Sequence, residues 1–301
     1  MTKSVSVPHP SRIDSLLRSS QGGCEEINSL TERLEEFYNT THDYTAFNAP
    51  DDRRIWLRVV AGEIGRKFRP QGAKIRVLEI GAGCGSVFQE IECLDRRMFH
   101  YTAQDITKTT LGQLRQVADA VHIGPLRTLA GPFDVIFSLF VLEHIATPGK
   151  FLANVDRLLT TGGTHVVVCP RYDIPGYVCP SMRHLPGMKL FWIEAERHVC
   201  NALGRFGGEP SFWVNTDPAL FHKKWRRDAD AVHIVCQNEL VRWHSRLGYG
   251  VRKLSPRILG FVDFFFKRLA TVHLAFDKPT LIGRPPRIRS VQLGSTELAS
   301  L

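Results

Sequence analysis

An apolar run, VLEI, ends beside an acid and is followed by glycines at alternate positions. Glu79 lies two residues before Gly81, and Gly83 and Gly85 continue the GxGxG spacing. Such glycines permit a tight turn and let a ligand approach the backbone, and the free N–H groups of a following helix would face the same spot. A pyrophosphate would be repelled by Glu79, whereas an ammonium group would be attracted. The spacing therefore favours a ligand with a positively charged amine over a dinucleotide.

A second acid ends the next strand-like run, HYTAQDI. Asp105 comes about 20 residues after Gly85, which is the distance at which an acid accepts hydrogen bonds from ribose hydroxyls in nucleotide-binding sheets. An amine-bearing nucleoside satisfies both acids, and S-adenosylmethionine is such a molecule. Taken singly, Glu79 or Asp105 could equally cap the turn or helix that follows it. Together, in this order and at this spacing, they favour the cofactor interpretation.

The elements that position these acids alternate along the chain. From residue 75, strand-like and helix-like runs follow one another as far as a fifth strand, THVVVCP. The fourth, FDVIFSLF, is almost wholly apolar, as expected for a strand buried on both faces of a sheet. This alternation predicts an α/β fold with a doubly wound, mostly parallel sheet. In such a sheet ligands bind at the carboxyl ends of the strands, where the glycines and Asp105 would meet.

Three regions interrupt or flank this alternation. Residues 1–70 are predicted to form an N-terminal helical cap, and 71–301 the main domain. Within it, residues 171–230 are too long for a plain loop and are expected to be an insertion that covers the site as a lid. Residues 255–276 form a strongly apolar, helical segment that is too short to span a bilayer. That segment could lie on a membrane surface, bind a lipid tail, or be a buried lid or dimer helix. The last strand is expected in residues 276–286.

The composition limits the class of protein. Hydrophobic residues make up 43% and charged residues 23% of the 301 residues, as in an ordinary soluble globular protein. The seven cysteines are odd in number and contain no CxxC pair, which argues against a disulfide framework or a zinc ribbon and indicates a reducing cytoplasm. The net charge of +9 suits an anionic partner, such as an acidic substrate, nucleic acid or an anionic lipid surface, or simply a solvated basic face.

With these motifs assembled, the chain resembles the class I S-adenosylmethionine-dependent methyltransferases, of the methyltransferase-11/12-like type that acts on small molecules or glycans. The matching stretches are VLEIGAGCGS, YTAQDI, GPFDVIFSLFVLEHI and FLANVDRLLTTGGTHVVVCP, which fall within residues 70–170. A weaker similarity resumes at 228–254. The resemblance implies a Rossmann-like, mostly parallel seven-stranded sheet with an N-terminal helical region and a lid insertion after the fifth strand. These motifs identify the superfamily and leave the acceptor open.

The resemblance also assigns residues to the cofactor. The glycine loop would contact the methionine part, Glu79 would orient its amine, and Asp105 would hold the ribose. After the third strand, where the family often has an acid for the adenine amino group, this chain has Gly124 and Pro125, so that backbone groups near Leu126 would substitute. The predicted cofactor-binding residues are Glu79, Gly81, Ala82, Gly83, Gly85, Asp105, Ile106, Leu126, Leu139 and Phe140.

Methylation of a hydroxyl needs an aligned nucleophile and a group that removes its proton. His144, in the LEHI stretch after the fourth strand, is the candidate catalytic base because imidazole titrates near neutral pH. Alternatively, His144 only fixes the loop. Tyr172, Asp173 and Tyr177, just past the fifth strand, are the candidate substrate-binding residues. No metal site is predicted.

The expected activity is O-methylation of a small molecule or glycan, and an anionic or lipid-linked acceptor would suit the basic charge. No Pro-Pro-aromatic motif or cysteine follows the fourth strand, which argues against methylation of base amines or of cytosine carbon. Nucleic acid is therefore the less favoured partner. An RNA methyltransferase, suggested by the charge, and a non-catalytic S-adenosylmethionine-binding module, suggested by the missing acid near Pro125, stay open. We expect a cytoplasmic protein without a transmembrane segment; contact with a membrane surface and a homodimer stay open.

Overall fold

Seven strands form one sheet in the order β3-β2-β1-β4-β5-β7-β6. The structure, a computed structural model, describes residues 24–40, 50–67, 72–85, 95–204, 210, 212–222, 228–254 and 270–280. The strands β1–β5 run parallel, whereas β7 runs antiparallel to both of its neighbours. The predicted doubly wound, mostly parallel sheet is therefore confirmed. The strands are β1 Ile75–Ile80, β2 Phe99–Asp105, β3 Ala120–Ile123, β4 Phe133–Leu139, β5 Leu159–Pro170, β6 Gly250–Lys253 and β7 Thr271–Asp277.

Helices cover both faces of this sheet. One face packs against α4 and α6, through Leu152 and Trp243 among others, and the opposite face packs against α2 through residues such as Trp56 and Val60. The central strands are therefore buried on both sides, which explains the apolar run in β4. The described helices are α1 Cys24–Thr40, α2 Pro50–Lys67, α3 Leu111–Val117, α4 Pro148–Leu158, α5 Gly187–Gly204 and α6 Gln237–Arg246.

Strand β7 lies earlier in the chain than expected. It occupies Thr271–Asp277, so that residues 271–276, predicted as the end of an apolar helix, are a strand instead. The reason is that β7 sits between β5 and β6 with six of its seven residues buried, and a short apolar run does not distinguish a buried strand from a buried helix. Residues 255–269 and 281–286, the rest of the two predicted segments, lie outside the described residues.

The insertion, residues 171–230, folds largely on itself and on α1. It contains α5 and two short 3-10 helices, Pro180–Met182 and Ala219–Phe221. The second 3-10 helix packs beside the buried face of α1, where the Arg33 guanidinium lies 3.4 Å from the centre of the Phe221 ring. Helix α1 is thereby held between the insertion and the loop after β4.

Two further observations concern the class of protein. Among the described helices, no segment has the length and apolar character needed to cross a membrane. Five cysteines within the described residues are free thiols: Cys84, Cys169, Cys179, Cys200 and Cys236.

Candidate functional site

A cavity of about 330 Å³ lies at the carboxyl ends of β1, β2 and β4. Because the strand order reverses between β1 and β4, this is the place where open α/β sheets bind ligands. The volume falls at the lower end of the range typical of cofactor pockets. Seven of the predicted site residues line it: Gly81, Gly83, Asp105, Ile106, Leu126, Phe140 and His144.

The loop after β1 needs its glycines for steric reasons. Gly81, Gly83 and Gly85 have φ angles of 64°, 57° and 67°, which side-chain-bearing residues rarely adopt. A Cβ atom on Gly81 would also lie 2.5 Å from Cγ2 of Val141, which lines the cavity as well. The backbone can therefore turn tightly beneath the cavity only with glycine at these positions.

Asp105 holds the glycine loop in place. Its Oδ2 accepts the Gly83 N–H at 2.8 Å, and its Oδ1 accepts the Thr107 N–H at 3.0 Å. A carboxylate offers about four acceptor sites, so these two bonds leave acceptor capacity at a side chain that lines the cavity. Ile106, which is 44% exposed, stands beside it as an apolar surface.

Gln104 is a loop-positioning residue that the sequence did not reveal. Its Oε1 accepts the Gly81 N–H at 3.3 Å, and its Nε2 donates to the Gly124 carbonyl at 2.7 Å. The side chain thereby joins the loop after β1 to the loop after β3. A glutamine next to Asp105 carries no sequence signal of this kind, because its partners are backbone groups distant in the chain.

Glu79 lies behind the loop rather than on the cavity wall. Its carboxylate accepts the hydroxyl of Tyr101, and both side chains are buried. Burial, together with the charge of Glu79, raises the pKa of the Tyr101 hydroxyl and keeps it a donor. The cavity wall, as far as the described residues form it, does not include Glu79, Ala82, Gly85 or Leu139. Direct contact of these four with a ligand stays a prediction.

His144 meets two residues from distant parts of the chain. Its Nδ1 lies 3.2 Å from Oδ2 of Asp230, which also accepts the hydroxyl of Tyr38 at 2.7 Å. Tyr38 belongs to α1 and Asp230 to the end of the insertion, so three separate segments converge on one buried carboxylate. Burial alone would lower the pKa of His144, but the negative charges of Asp230, Glu143 and Asp228 outweigh it and raise the pKa to about 10.

The Glu143 carboxylate is buried beside His144, whose Nε2 lies 3.8 Å from Glu143 Oε1. Neither carboxylate oxygen has a hydrogen bond among the described residues, and burial raises the pKa of Glu143 to about 7 against the opposing charge of His144. Its carbonyl oxygen accepts the N–H groups of Val232 and His233, in keeping with a loop-organising role. The ligand atoms of Glu143, His144 and Asp228 lie within 4.8 Å of one another, a spacing that could hold a metal ion.

Phe140 ends β4 in a strained conformation on the cavity wall. Its φ angle is 57°, and its N–H donates to the Val168 carbonyl at 2.7 Å. Non-glycine residues in this region carry strain of about 1–3 kcal/mol, and such strain concentrates at functional sites. The bond to β5 holds the turn so that the chain enters the LEHI stretch at the edge of the cavity.

Helix α1 forms the wall opposite the sheet. Thr31, Leu34, Glu35 and Tyr38 line the cavity from this helix. Ile27, Leu30 and Leu34 recur at helical spacing and form the buried face of α1, which Tyr38 continues four residues after Leu34. That this face would close the site was not evident, because nothing in the sequence relates residue 38 to residue 230.

Residues 78–165 match the family model described as a methyltransferase domain. The chain carries a methyltransferase domain. Its predicted kinship with the class I S-adenosylmethionine-dependent methyltransferases is thereby confirmed.

Curated relatives share this domain at low identity. The chain is 33% identical over 103 residues to a ubiquinone biosynthesis O-methyltransferase of Caulobacter sp. strain K31, an alignment covering 31% of this chain and 40% of that protein. It is 31% identical over 119 residues to an uncharacterized protein of Mycobacterium tuberculosis, covering 35% of this chain and 39% of that protein. The chain therefore spans at most about 40% of the length of these relatives.

A solved structure repeats the fold of the methyltransferase domain. The plantazolicin methyltransferase BpumL, in complex with a triazolic desmethylPZN analog and SAH, superposes with a TM-score of 0.50 at 12% identity, over 85% of this chain and 99% of that one. At this identity the likeness establishes the fold, and the sites of this chain rest on its own geometry.

The predicted substrate-binding residues of the methyltransferase domain lie away from the cavity. Tyr172 is fully buried, stacks on Tyr177 with ring centres 5.6 Å apart, and belongs to a cluster with Cys179 and Met182. Asp173 accepts the Arg171 Nε–H at 2.6 Å. These contacts place Tyr172, Asp173 and Tyr177 in the packing of the insertion, where an acceptor in the cavity would not reach them in this conformation.

The insertion packs against α1, the helix that forms one wall of the cavity. None of its described residues lines the cavity; instead, its residues Val214, Leu220 and Phe221 pack on the buried face of α1. The part of the predicted lid that the structure describes therefore acts through α1, which itself covers the cavity.

Proposed function

We propose that the chain binds S-adenosylmethionine in this cavity and transfers its methyl group to an oxygen of a small-molecule or glycan acceptor. The observation that carries the proposal is the glycine loop, which is hydrogen-bonded to Asp105 at the point where the strand order of the sheet reverses. The two free acceptor sites of the Asp105 carboxylate suit the two hydroxyls of a ribose. Because Gly81 and Gly83 carry no side chain, their backbone itself lines the cavity, as expected where a ligand approaches the backbone.

The apolar part of the cavity suits the adenine ring. Ile106 and Leu126 lie on the β2–β3 side and line the cavity. The Leu126 carbonyl already accepts the Arg157 Nη2–H at 2.8 Å, so that the 3-10 helix Leu126–Thr128 is held in place without the acid that the family often has here. In this proposal adenine is bound by apolar contact and backbone groups rather than by a carboxylate.

The bound sulfonium supplies an activated methyl group. The acceptor oxygen forms the new C–O bond as the C–S bond breaks, the bonding pair stays on sulfur, and the hydroxyl proton leaves. His144 lies on the cavity and is the group placed to take that proton, with Asp230 and Tyr38 orienting its ring. Because its pKa is about 10, the free protein holds this imidazole protonated. A positive sulfonium nearby would lower that pKa and favour the base form.

An oxygen acceptor is supported by two observations. Oδ2 of Asp230, which also accepts the Tyr38 hydroxyl, lies 3.2 Å from Nδ1 of His144, so its charge would stabilise the imidazolium that forms when His144 takes the proton that a hydroxyl must lose. The Caulobacter relative is, by its name, an O-methyltransferase. The α1 side of the cavity offers both apolar and polar contacts, with Leu34 beside Thr31 and Glu35, which suits an acceptor that carries hydroxyls on an apolar or sugar ring.

Binding tests the cofactor part of the proposal. Calorimetry with the full chain is expected to show S-adenosylmethionine binding in the micromolar range, lost in Asp105→Ala. Asp95→Ala is the matched control, because Asp95 is exposed and its carboxylate accepts hydrogen bonds from nearby Arg97. A folded chain that binds no cofactor, or equal losses in both variants, would contradict the proposal.

The acceptor is tested separately. Cell extract incubated with the enzyme and methyl-labelled S-adenosylmethionine is analysed by mass spectrometry, and label is expected on an oxygen of a small molecule or glycan. Label recovered in RNA, or on nitrogen or carbon, would overturn the acceptor assignment and leave the cofactor assignment intact.

A further inference from the structure

A second group of potential ligands lies in the insertion, apart from the cavity. His184, Asp217 and His222 have ligand atoms that all lie within 4.8 Å of one another. None of the three lines the cavity. They come from two segments, since His184 follows the 3-10 helix Pro180–Met182, whereas Asp217 and His222 flank the 3-10 helix Ala219–Phe221.

The tautomer of His184 directs a lone pair towards this group. Its Nδ1 lies 3.0 Å from the carbonyl oxygen of Ser181. A carbonyl can only accept, so Nδ1 carries the proton and the neutral ring presents an unprotonated Nε2. This pattern, in which the far nitrogen donates to a carbonyl, is the one that fixes metal-binding histidines in proteins.

The lone-pair nitrogen of His184 is buried and has no hydrogen bond. The side chain is 10% exposed, and Nε2 has no hydrogen-bond partner in the part of the chain that the structure describes. Its nearest acid is Asp217, whose Oδ2 lies 3.6 Å away. Two ligands about 2.0–2.1 Å from a tetrahedral Zn²⁺ ion are separated by roughly 3.3 Å. The observed gap is therefore too long for a hydrogen bond and close to the separation of two ligands on one ion.

His222 completes the set on the solvent side. Its Nε2 lies 2.5 Å from Oδ1 of Asp217, and both side chains are about half exposed. A metal ion would take the place of the proton between these two atoms, and that proton would leave to solvent. Two imidazoles and one carboxylate, open on one side, suit a borderline divalent ion with water in the remaining position.

The two segments are already held together before an ion arrives. Asn215 donates through Nδ2 to the Ser181 hydroxyl at 3.2 Å, while its Oδ1 accepts the Asp217 N–H at 3.2 Å. The rings of His184 and His222 stack with centres 4.8 Å apart. Little chain entropy would therefore be lost when the three side chains gather around an ion.

We propose that His184, Asp217 and His222 bind one Zn²⁺ ion that joins the two halves of the insertion. The ion would fix the 3-10 helix Ala219–Phe221, whose Phe221 lies under the Arg33 guanidinium of α1. The site is thus a structural one, which braces the helix that covers the cavity. This inference does not depend on the methyl-transfer proposal, because it concerns a different group of residues and a different ligand.

Zn²⁺ binding by the untagged full chain tests the site. The protein is stripped with a chelator, desalted, and titrated with Zn²⁺ in competition with a chromophoric chelator. One ion per chain is expected, and His184→Gln, Asp217→Asn and His222→Gln should each weaken binding by more than about tenfold, since even outer-shell partners contribute 10–100-fold. His100→Gln, at an exposed histidine of β2, is the matched control and should leave binding unchanged.

Co²⁺ provides a readout that does not rely on variants. Bound at this site it should give visible absorption bands of a low-coordinate ion, which Zn²⁺ displaces with the same stoichiometry. Binding by the wild-type chain that is no tighter than by His184→Gln would overturn the site. So would a single tight site that all three variants retain, because the ion would then lie elsewhere, for example at Glu143 and His144.

Discussion

Two clusters of charged groups, at opposite ends of the parallel strands, differ in how completely they are paired. Towards the amino ends, the Arg252 guanidinium bonds to both carboxylate oxygens of Glu63 and to both of Asp277, and Thr164 donates to Asp277 as well. At the carboxyl ends, Glu143 is buried with neither oxygen hydrogen-bonded among the described residues, and Phe140 holds a strained backbone.

This difference separates groups that stabilise the fold from groups that are left for a ligand. The ion pairs of Arg252 join α2 to β6 and β7. In these pairs each carboxylate oxygen of Glu63 and Asp277 accepts a hydrogen bond from Arg252. Beside His144, the acids Glu143, Asp228 and Asp230 face one imidazole, and neither carboxylate oxygen of Glu143 is hydrogen-bonded among the described residues. A protein tolerates incompletely paired buried groups chiefly where function requires them. The contrast therefore locates the site independently of the glycine loop.

The strongest test of the contrast changes the charge beside His144. In Asp230→Asn, the main opposing charge is lost while the side chain keeps its size, so the pKa of His144 should fall from about 10 by about 1–3 units. NMR titration of the ring protons measures it directly. Asp134→Asn, at the amino end of β4, is the control and should not move it. An unchanged His144 titration in Asp230→Asn would mean that the acid cluster does not act on this histidine.

The same change has a consequence for stability with a defined sign. The pKa of His144 is higher in the folded chain than the unfolded value of about 6.5. Its contribution to stability is therefore fully present below pH 6.5 and is lost as the pH rises towards 10. The difference in unfolding free energy between the wild type and Asp230→Asn should narrow over that window, as measured by urea denaturation at several pH values.

Arg252→Ala tests the other end of the strands. It leaves Glu63, which is 6% exposed, without its bidentate partner, and should lower the free energy of unfolding by about 1.5–3 kcal/mol. Binding of S-adenosylmethionine to the folded variant should not change, because the pair is remote from the cavity. Arg97→Ala, which removes an exposed cation that bonds to Asp95, is the control and should have no measurable effect. A selective loss of cofactor affinity in Arg252→Ala would contradict the separation of the two ends.

Much of the sheet, and seven of the residues that line the cavity, could be predicted from the sequence for one physical reason. A parallel sheet repeats strand and helix locally, and its ligand residues follow the strand ends at fixed places, so the positions of Gly81, Gly83 and Asp105 could be predicted. Strand β7 could not, because its apolar run suits either a helix or a buried strand. Asp230 and Tyr38 also lay beyond reach, since they meet His144 only through the tertiary packing of α1 on the insertion.

The predicted substrate-binding residues do not line the cavity, for a related reason. Tyr172 and Asp173 follow a strand end, as ligand residues often do. The segment after β5, however, packs into the interior of the insertion. Tyr172 then packs with Met182 rather than facing the cleft. A strand end is therefore informative only when the next segment stays at the sheet edge, which one sequence does not disclose.

The smallest expected effect comes from replacing a glycine of the loop after β1 by alanine, which tests whether the loop requires glycine or accepts any small residue. Gly81→Ala forces a side chain into a φ of 64° and within 2.5 Å of Val141, at a cost of about 1–2 kcal/mol. The free variant relieves this strain by shifting the loop, and restoring the loop for binding costs that free energy again, so cofactor affinity should fall by up to roughly five- to thirtyfold. Gly112→Ala is the matched control in α3, where the new methyl group meets nothing within 4 Å; it should stabilise the fold by about 0.5–1 kcal/mol and leave affinity unchanged. Calorimetry and urea denaturation separate the two quantities. If Gly81→Ala lowered stability alone and the cofactor bound as before, the loop would serve the fold at this end of the strands, and the contrast between the two ends would have to rest on the charges around His144.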